Sequence, residues 1–243
     1  MNSTKTAIAA AVLFGGLSTS GLAADLDQPM MAHGGPTIAL FAGADVKQRS
    51  WYTYGGFVFS PFGDLTQDGF LVRGVVGGGE YEYDLPAGEI DGEHVNLEAM
   101  LGYQMFLDLV RLSVYAGVNV QDHDHSPNDP GNSTAGTEVG FSATGEIETL
   151  EAAPFYANFS GTFSTANDTY WTRGRIGMHL SSFVIGPEGT LSGNDEYDAA
   201  RIGGFIMTNL GSFNISVSAG YADVDGTQGD DSAYGTIGIG TAF

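Results

Sequence analysis

Two acidic segments carry side chains that could bind a divalent cation. Asp122-His123-Asp124-His125 places carboxylate oxygens and imidazole nitrogens in four consecutive residues, and divalent metals accept both. Asp223-Val224-Asp225-Gly226 has the start of a calcium loop but lacks its third acidic position and its distant glutamate. We interpret the first segment as a solvated outer loop and the second as a turn. The sequence therefore predicts no metal site and no cofactor.

The residue types that catalysis requires are not arranged for it. Gly186-Pro187-Glu188-Gly189 could present Glu188 as a positioned carboxylate, but its expected partner is an arginine. Gly77-Gly78-Gly79 is not followed by a helical segment, so it does not predict a phosphate-binding loop. The chain contains no cysteine, which excludes thiolate chemistry and a disulfide scaffold. We predict no catalytic residues and no enzyme activity.

Charged side chains recur on one side of several segments that alternate between apolar and polar residues. Extending this alternation predicts that the charged residues share an inward face. Their mixed signs favour an ion-pair network that joins neighbouring strands, and the alternative is a track that contacts an anionic or hydroxyl-rich solute. The set comprises Arg73, Glu98, Arg111, Glu146, Glu148, Arg173, Arg175, Glu188 and Arg201.

Aromatic side chains are predicted on the same inward face. Their rings could stack against sugar rings while the tyrosine hydroxyls form hydrogen bonds, or the rings could simply fill the interior. Inward glycines, including Gly117, Gly177, Gly203 and Gly220, would leave space between them. The aromatic set comprises Tyr52, Tyr54, Tyr115, Tyr156, Trp171, Phe205 and Tyr234, with Tyr81 and Tyr83 beside it.

The elements that would position these residues are strands. From Tyr234 to Phe243, residues alternate between two faces with the two-residue period of a strand. The same period recurs along most of the chain. It predicts about twelve strands, at residues 37–47, 50–62, 68–84, 92–107, 109–121, 136–149, 153–165, 169–180, 182–192, 198–210, 212–222 and 233–243.

This alternation fits either a soluble sandwich or a membrane barrel, whose apolar face contacts lipid. The connections favour the barrel, because tight turns such as Gly211-Ser212 alternate with longer acidic segments such as Pro86 to Glu93 and Asp122 to Ala135. Outer-membrane barrels have short periplasmic turns and longer outside loops. The sequence thus predicts an all-β, closed, antiparallel transmembrane β-barrel in the outer membrane, with both termini in the periplasm.

The N-terminus predicts export. Lys5 precedes an apolar run from Thr6 to Leu17 that is too short to span a bilayer, and small residues follow at Ala23 and Ala24. We therefore expect residues 1–24 to be a cleaved signal peptide, residues 25–36 a short periplasmic segment, and residues 37–243 the barrel.

The composition excludes some partners and supports others. The net charge of −21 argues against nucleic acid, because phosphate binding requires basic patches. The acidic residues cluster between long stretches that carry almost no charge, as expected when one surface contacts outer-membrane lipid.

Short motifs along nearly all of the predicted mature chain resemble one family. In order and spacing they are similar to the cellulose biosynthesis protein BcsS family of proteobacteria. The motifs are Ser50-Trp51-Tyr52, residues 68–74, Leu101-Gly102-Tyr103-Gln104, Gln121-Asp122-His123-Asp124, residues 127–130, Pro154-Phe155-Tyr156-Ala157, Tyr170-Trp171, Arg173-Gly174-Arg175, residues 186–189, residues 201–205 and Ala233-Tyr234-Gly235.

The resemblance implies an accessory role in bacterial cellulose production, with cellulose synthase components or the glucan itself as partners, and it brings no catalytic residues. The protein would act as a conduit for glucan or as a scaffold. The main alternative is a narrow porin for small solutes or acidic oligosaccharides, and a structural or adhesin-like barrel is a further one. An outer-membrane hydrolase would need a Ser/His pair on the lipid face, whereas His94, His123 and His125 are predicted at or beyond the rim.

Overall fold

The computed structural model describes residues 35–86, 88–226 and 231–243. Within them, twelve antiparallel strands form one closed barrel. The predicted signal peptide, and the segment 25–36 up to residue 34, lie outside the described residues. The strands are β1 (Ile38–Lys47), β2 (Ser50–Phe59), β3 (Gly69–Leu85), β4 (Gly88–Leu107), β5 (Val110–Ser126), β6 (Gly136–Thr149), β7 (Tyr156–Ser164), β8 (Tyr170–Leu180), β9 (Phe183–Asn194), β10 (Tyr197–Leu210), β11 (Phe213–Gly226) and β12 (Ser232–Ala242).

Pairing of the first strand with the last closes the barrel. β1 pairs with β12 from Ala39↔Ala242 to Lys47↔Tyr234, and the other strands pair with their neighbours in sequence. Closure satisfies backbone N–H and C=O groups within the sheet, which a bilayer requires. The predicted closed, antiparallel, twelve-stranded barrel is confirmed. The start of β1 and the end of β12 lie at one end of the barrel, here called the terminal end, and the opposite end is called the loop end.

The outer wall is apolar and bounded by aromatic side chains. Eight residues of strand rise roughly 27 Å, or about 20 Å along the axis of a barrel whose strands tilt by about 40°. Exposed aliphatic side chains such as Leu101 and Val217 fill the band between the aromatic residues. Such a band is typical of outer-membrane barrels. Outward aromatic residues spaced by eight positions are Trp51 and Phe59, Phe155 and Phe163, and Phe213 and Tyr221.

The loop end differs from the sequence prediction because several strands extend farther. The predicted loop from Pro86 to Glu93 is wrong, since β3 and β4 pair as far as Leu85↔Gly88. The predicted loop from Asp122 to Ala135 is wrong over Asp122–Ser126, which belong to β5, and the predicted turn at Asp223 is wrong because this residue lies within β11. Their acidity suggested loops, but they keep the two-residue period of a strand and extend the sheet at the loop end.

The connection between β2 and β3 folds into the terminal end. Leu65 is buried among interior residues that include Phe41 and Leu71, and its N–H donates to Pro36 O at 2.8 Å. Asp64 fixes this connection by accepting hydrogen bonds from Thr66 N and Gln67 Nε2, each at 2.8 Å, and from Gly35 N at 3.1 Å. Burial opposes ionisation of Asp64, but the hydrogen bonds outweigh it and hold the pKa of its carboxyl below the usual range.

Beyond the strands, residues Ala166–Asp168 form one short 3-10 helix. Within the described residues, no helix is both long and apolar enough to cross a bilayer.

Candidate functional site: the barrel interior

The structure places the predicted charged and aromatic residues inside the barrel. The nine charged side chains are each at most 7% exposed, and among the seven aromatic residues only Tyr54 is less than fully buried. The charged residues are brought together in separate groups rather than in one continuous track.

The first group joins β3, β4 and β6. Arg73 Nη1 lies 3.0 Å from Glu98 Oε1 and 3.2 Å from Thr144 Oγ1, and Ser142 Oγ donates to Glu98 Oε2 at 2.8 Å. Gly117 on the intervening β5 lies opposite Ser142 in the sheet register. Because Gly117 has no side chain, the pair can reach across β5 to β6.

A second group places two carboxylates beside one guanidinium. Arg111 Nη2 on β5 lies 3.0 Å from Glu148 Oε2 and 3.4 Å from Glu146 Oε1 on β6. Removing one partner of such a buried ion pair typically destabilises a fold by about 3–5 kcal/mol, because an uncompensated charge remains.

A third group ties four strands together around Glu188. Arg175 Nε donates to Glu188 Oε2 at 2.5 Å, while its Nη1 and Nη2 donate to Ser216 and Ser218 at 3.0 and 3.2 Å. Tyr234 OH donates to Glu188 Oε1 at 3.2 Å. Ser218 Oγ on β11 also donates to Glu188 Oε2 at 3.3 Å, so the carboxylate is held from β8, β11 and β12.

Sequence reasoning missed the partner of Arg201. Its Nη1 and Nη2 grip both oxygens of Asp45 at 2.8 and 3.2 Å, and this links β10 to β1 across two intervening strands. A signal was available, because Asp45 follows Phe41 and Gly43 on the inward face of β1.

Four inward aromatic rings lie next to guanidinium groups. Such cation–π contacts contribute about 2 kcal/mol or more when desolvated. The distances from guanidinium carbon to ring centroid are 5.6 Å for Arg73 and Tyr115, 5.3 Å for Arg173 and Trp171, 4.8 Å for Arg175 and Phe205, and 4.8 Å for Arg201 and Tyr234.

The inward glycines make room for aromatic rings rather than for a channel. A Cβ atom built on Gly77 would lie 2.0 Å from Tyr52 OH, and one on Gly203 would lie 2.5 Å from Tyr234 OH. Gly177 is covered in the same way by Phe205. The expectation that inward glycines leave open space is wrong at Gly177 and Gly203, because a ring from another strand lies over each of them.

The histidines form a buried stack that sequence reasoning misplaced. His94 and His123 are 2% and 1% exposed, and their ring centroids lie 5.0 Å apart. Tyr52 stacks on His94 at 5.2 Å, and Tyr81 OH lies 2.8 Å from His125 Nε2. The prediction that His94 and His123 lie at or beyond the rim is wrong, because β4 and β5 carry them inside. Among the described residues, no group of three or more His, Asp or Glu side chains has a geometry that could hold a metal ion.

Two connections fold over the loop end. Tyr83 OH donates to Asp129 Oδ2 at 2.8 Å and accepts from Asn132 Nδ2 at 3.2 Å, so residues 127–135 are held from inside. In the short 3-10 helix, Asn167 Nδ2 donates to Gln121 Oε1 at 2.9 Å. Asn132 and Asn167 are both buried.

The interior is therefore closely packed, and its arginines are matched by carboxylates. A cavity of about 40 Å³ lies beside Arg173, Arg175 and Arg201, with room for only a few water molecules. Among the described inward groups, the guanidiniums of Arg73, Arg111, Arg173, Arg175 and Arg201 face an equal number of carboxylates, from Asp45, Glu98, Glu146, Glu148 and Glu188, and the buried Lys47 adds one further cation on β1. This arrangement is suited to holding strands together.

Known structures resemble the chain in fold alone. A structure titled KdgM porin is 9% identical, with 84% of this chain and 99% of that chain covered and a TM-score of 0.45. LpxR from Salmonella typhimurium is 12% identical, with coverages of 84% and 100% and a TM-score of 0.47. The translocator domain of the autotransporter NalP from Neisseria meningitidis is 10% identical, with coverages of 90% and 91% and a TM-score of 0.47.

A family model gives a more specific result. No curated protein matches the chain in sequence. The model of the family described as cellulose biosynthesis protein BcsS matches residues 39–243, which is the barrel from the second residue of β1 onward. The resemblance noted from the short motifs is thereby confirmed, and the chain belongs to the cellulose biosynthesis protein BcsS family.

Proposed function

We propose that this protein is an outer-membrane accessory of cellulose biosynthesis that acts as a closed scaffold, without enzyme activity, rather than as a conduit for glucan. Family membership supports the link to cellulose, and the apolar outer band supports the membrane location. The filled interior is the observation that favours the scaffold. Ring-over-glycine packing and buried ion pairs occupy the path that a glucan chain would need, and the cavity of about 40 Å³ is far smaller than a sugar ring.

The orientation in the membrane is part of this proposal. Two-residue turns occur at the terminal end, at residues 108–109, 181–182 and 211–212, and also at the loop end, at residues 48–49 and 195–196, so turn length alone does not orient the barrel. The acidic extensions of β3, β4, β5 and β11 are at the loop end. Since the longer exposed segments of outer-membrane barrels lie outside the cell, the loop end would face outward, and the terminal end would face the periplasm and dock synthase components there.

Deletion of the gene tests the link to cellulose. We expect cellulose output, measured by dye binding and by acid-resistant glucan, to fall and to return with the intact gene but not with a gene that lacks β12. Unchanged cellulose would contradict the proposal and favour the narrow porin, for which the five inward arginines are the supporting observation. Single-channel conductance with anion selectivity would then identify a porin.

A cross-link separates scaffold from conduit. Ser133 N donates to Glu196 Oε1 at 2.7 Å, which joins the 127–135 connection to the turn between β9 and β10. The chain has no cysteine, so a short thiol cross-linker joins only the introduced pair in Ser133→Cys/Glu196→Cys. If the protein is a scaffold, the cross-linked double variant should restore cellulose output fully. Loss of cellulose on cross-linking, absent from the Ser133→Cys control, would identify a conduit.

A further inference from the structure

The small interior cavity has a chemical character of its own. Its charged lining consists of Asp45, Arg173, Arg175, Glu188 and Arg201, each at most 8% exposed. Its volume of about 40 Å³ accommodates a few water molecules or one small ion. Whatever occupies it must satisfy the polar groups that face it, because unsatisfied buried polar groups are costly.

The acceptors of this cavity are already engaged. Both oxygens of Asp45 accept from Arg201, at 2.8 and 3.2 Å. Glu188 Oε2 accepts from Arg175 Nε, and Glu188 Oε1 accepts from Tyr234 OH. Neither carboxylate has to draw a hydrogen bond from an occupant of the cavity.

Donors remain available. Arg201 Nε is buried without a hydrogen-bond partner, because the other two nitrogens of its guanidinium hold Asp45. Ser216 Oγ accepts from Arg175 Nη1, so its own hydroxyl hydrogen can point into the cavity. Thr190 adds another hydroxyl to the lining.

The local charge is also positive. Among the described residues that line the cavity, three guanidiniums face two carboxylates. An excess of negative charge lies around Arg111, which contacts both Glu146 and Glu148 on β6. Inward Asn158 and Ser160 on β7 separate β6 from Arg175 and Arg173 in the sheet register. The excess positive charge at the cavity and the excess negative charge around Arg111 are therefore two strand spacings apart, roughly 10 Å.

We propose that this cavity binds one small inorganic anion, of about the size of chloride, held by Arg201 Nε–H and the hydroxyls of Ser216 and Thr190 in the field of Arg173. The anion neutralises the local surplus of positive charge and completes the hydrogen bonding of the lumen wall. It is a fixed part of the closed barrel.

Refolding in different anions tests the site. Protein refolded in sodium chloride should melt several degrees higher than protein refolded in sodium gluconate at equal ionic strength, and the effect should saturate with chloride. Arg173→Gln should abolish this difference. Arg73→Gln is the matched control, since it removes another inward guanidinium that does not line the cavity, and it should keep the chloride effect despite lower stability.

A crystal grown in bromide gives a second measurement. We expect an anomalous peak from bromide in the cavity. This peak should be absent from crystals of the Thr190→Val variant. This variant also supplies the test if Arg173→Gln does not fold. Equal melting temperatures in chloride and gluconate, together with a cavity without an anomalous peak, would overturn the proposal and identify water as the occupant.

Discussion

The hydroxyl oxygen of Tyr234 lies 2.5 Å from the position that a Cβ atom on Gly203 would occupy, so this ring and this glycine fit together across the barrel wall. A Cβ atom on Gly203 would also lie 2.4 Å from the backbone oxygen of Ala219, so we expect Gly203→Ala to destabilise the barrel by about 1–3 kcal/mol, as other overpacked positions do. Gly204→Ala is the matched control, since its Cβ would point outward and meet its nearest atom at 3.5 Å. Urea unfolding from lipid vesicles measures both, and equal stability of the two variants would contradict this packing.

Asp45→Asn should cost about 3–5 kcal/mol of unfolding free energy, because it leaves the buried Arg201 without its countercharge. The double variant Asp45→Asn/Arg201→Met should recover part of this loss, since it removes both buried charges. A double-mutant cycle measures the coupling. Simple additivity of the two single substitutions would show that the pair does not stabilise the barrel.

The membrane band predicts a depth-dependent cost of charge along β11. Val217 and Tyr221 both point outward, Val217 in the band and Tyr221 at its loop-end edge. Val217→Arg should destabilise by about 2–4 kcal/mol and Tyr221→Arg by about 0–1 kcal/mol, because arginine is costly only near the bilayer midplane. Unfolding in vesicles tests this, and the reverse order would place the band elsewhere.

The proposed orientation predicts which introduced cysteines are reached from outside the cell. Ser133 lies at the loop end and Asp108 in a turn at the terminal end. A maleimide that cannot cross the outer membrane should label Ser133→Cys in intact cells, and Asp108→Cys only after the outer membrane is permeabilised. Labelling of Asp108→Cys alone in intact cells would show that the barrel has the reverse orientation in the membrane.

Asp64 should make the terminal end sensitive to acid. The pKa of this carboxyl is lower in the folded protein than in the unfolded chain. Its ionised form therefore stabilises the fold at a pH above the unfolded pKa, and this stabilisation is lost as the pH falls through the folded pKa. Asp64→Asn should therefore be less stable near neutral pH and lose less stability between about pH 4 and pH 2. Parallel pH curves for the two proteins would exclude this role.

The strand period explains what could be predicted from sequence about the site. Side chains at i and i+2 point to the same face whatever surrounds them, so the inward positions of Arg73, Glu98 and Trp171 followed from local pattern alone. The hydrogen-bond and ion-pair partners of these side chains could not be predicted from the local pattern. Asp45 pairs with Arg201 and Ser142 with Glu98 because the register and the curvature of the closed sheet bring distant strands together.

The sequence by itself determined the fold class, the approximate number of strands and the face on which each side chain lies, since hydrophobic alternation is a local property. The tertiary structure decided whether the interior is filled. Gly203 and Gly220 indicated open space in sequence, but a ring on β12 covers both, because a closed barrel places side chains of different strands over one another. His94 and His123 were misplaced for a related reason: how far β4 and β5 extend depends on their mutual pairing, and acidic neighbours on the outward face concealed it.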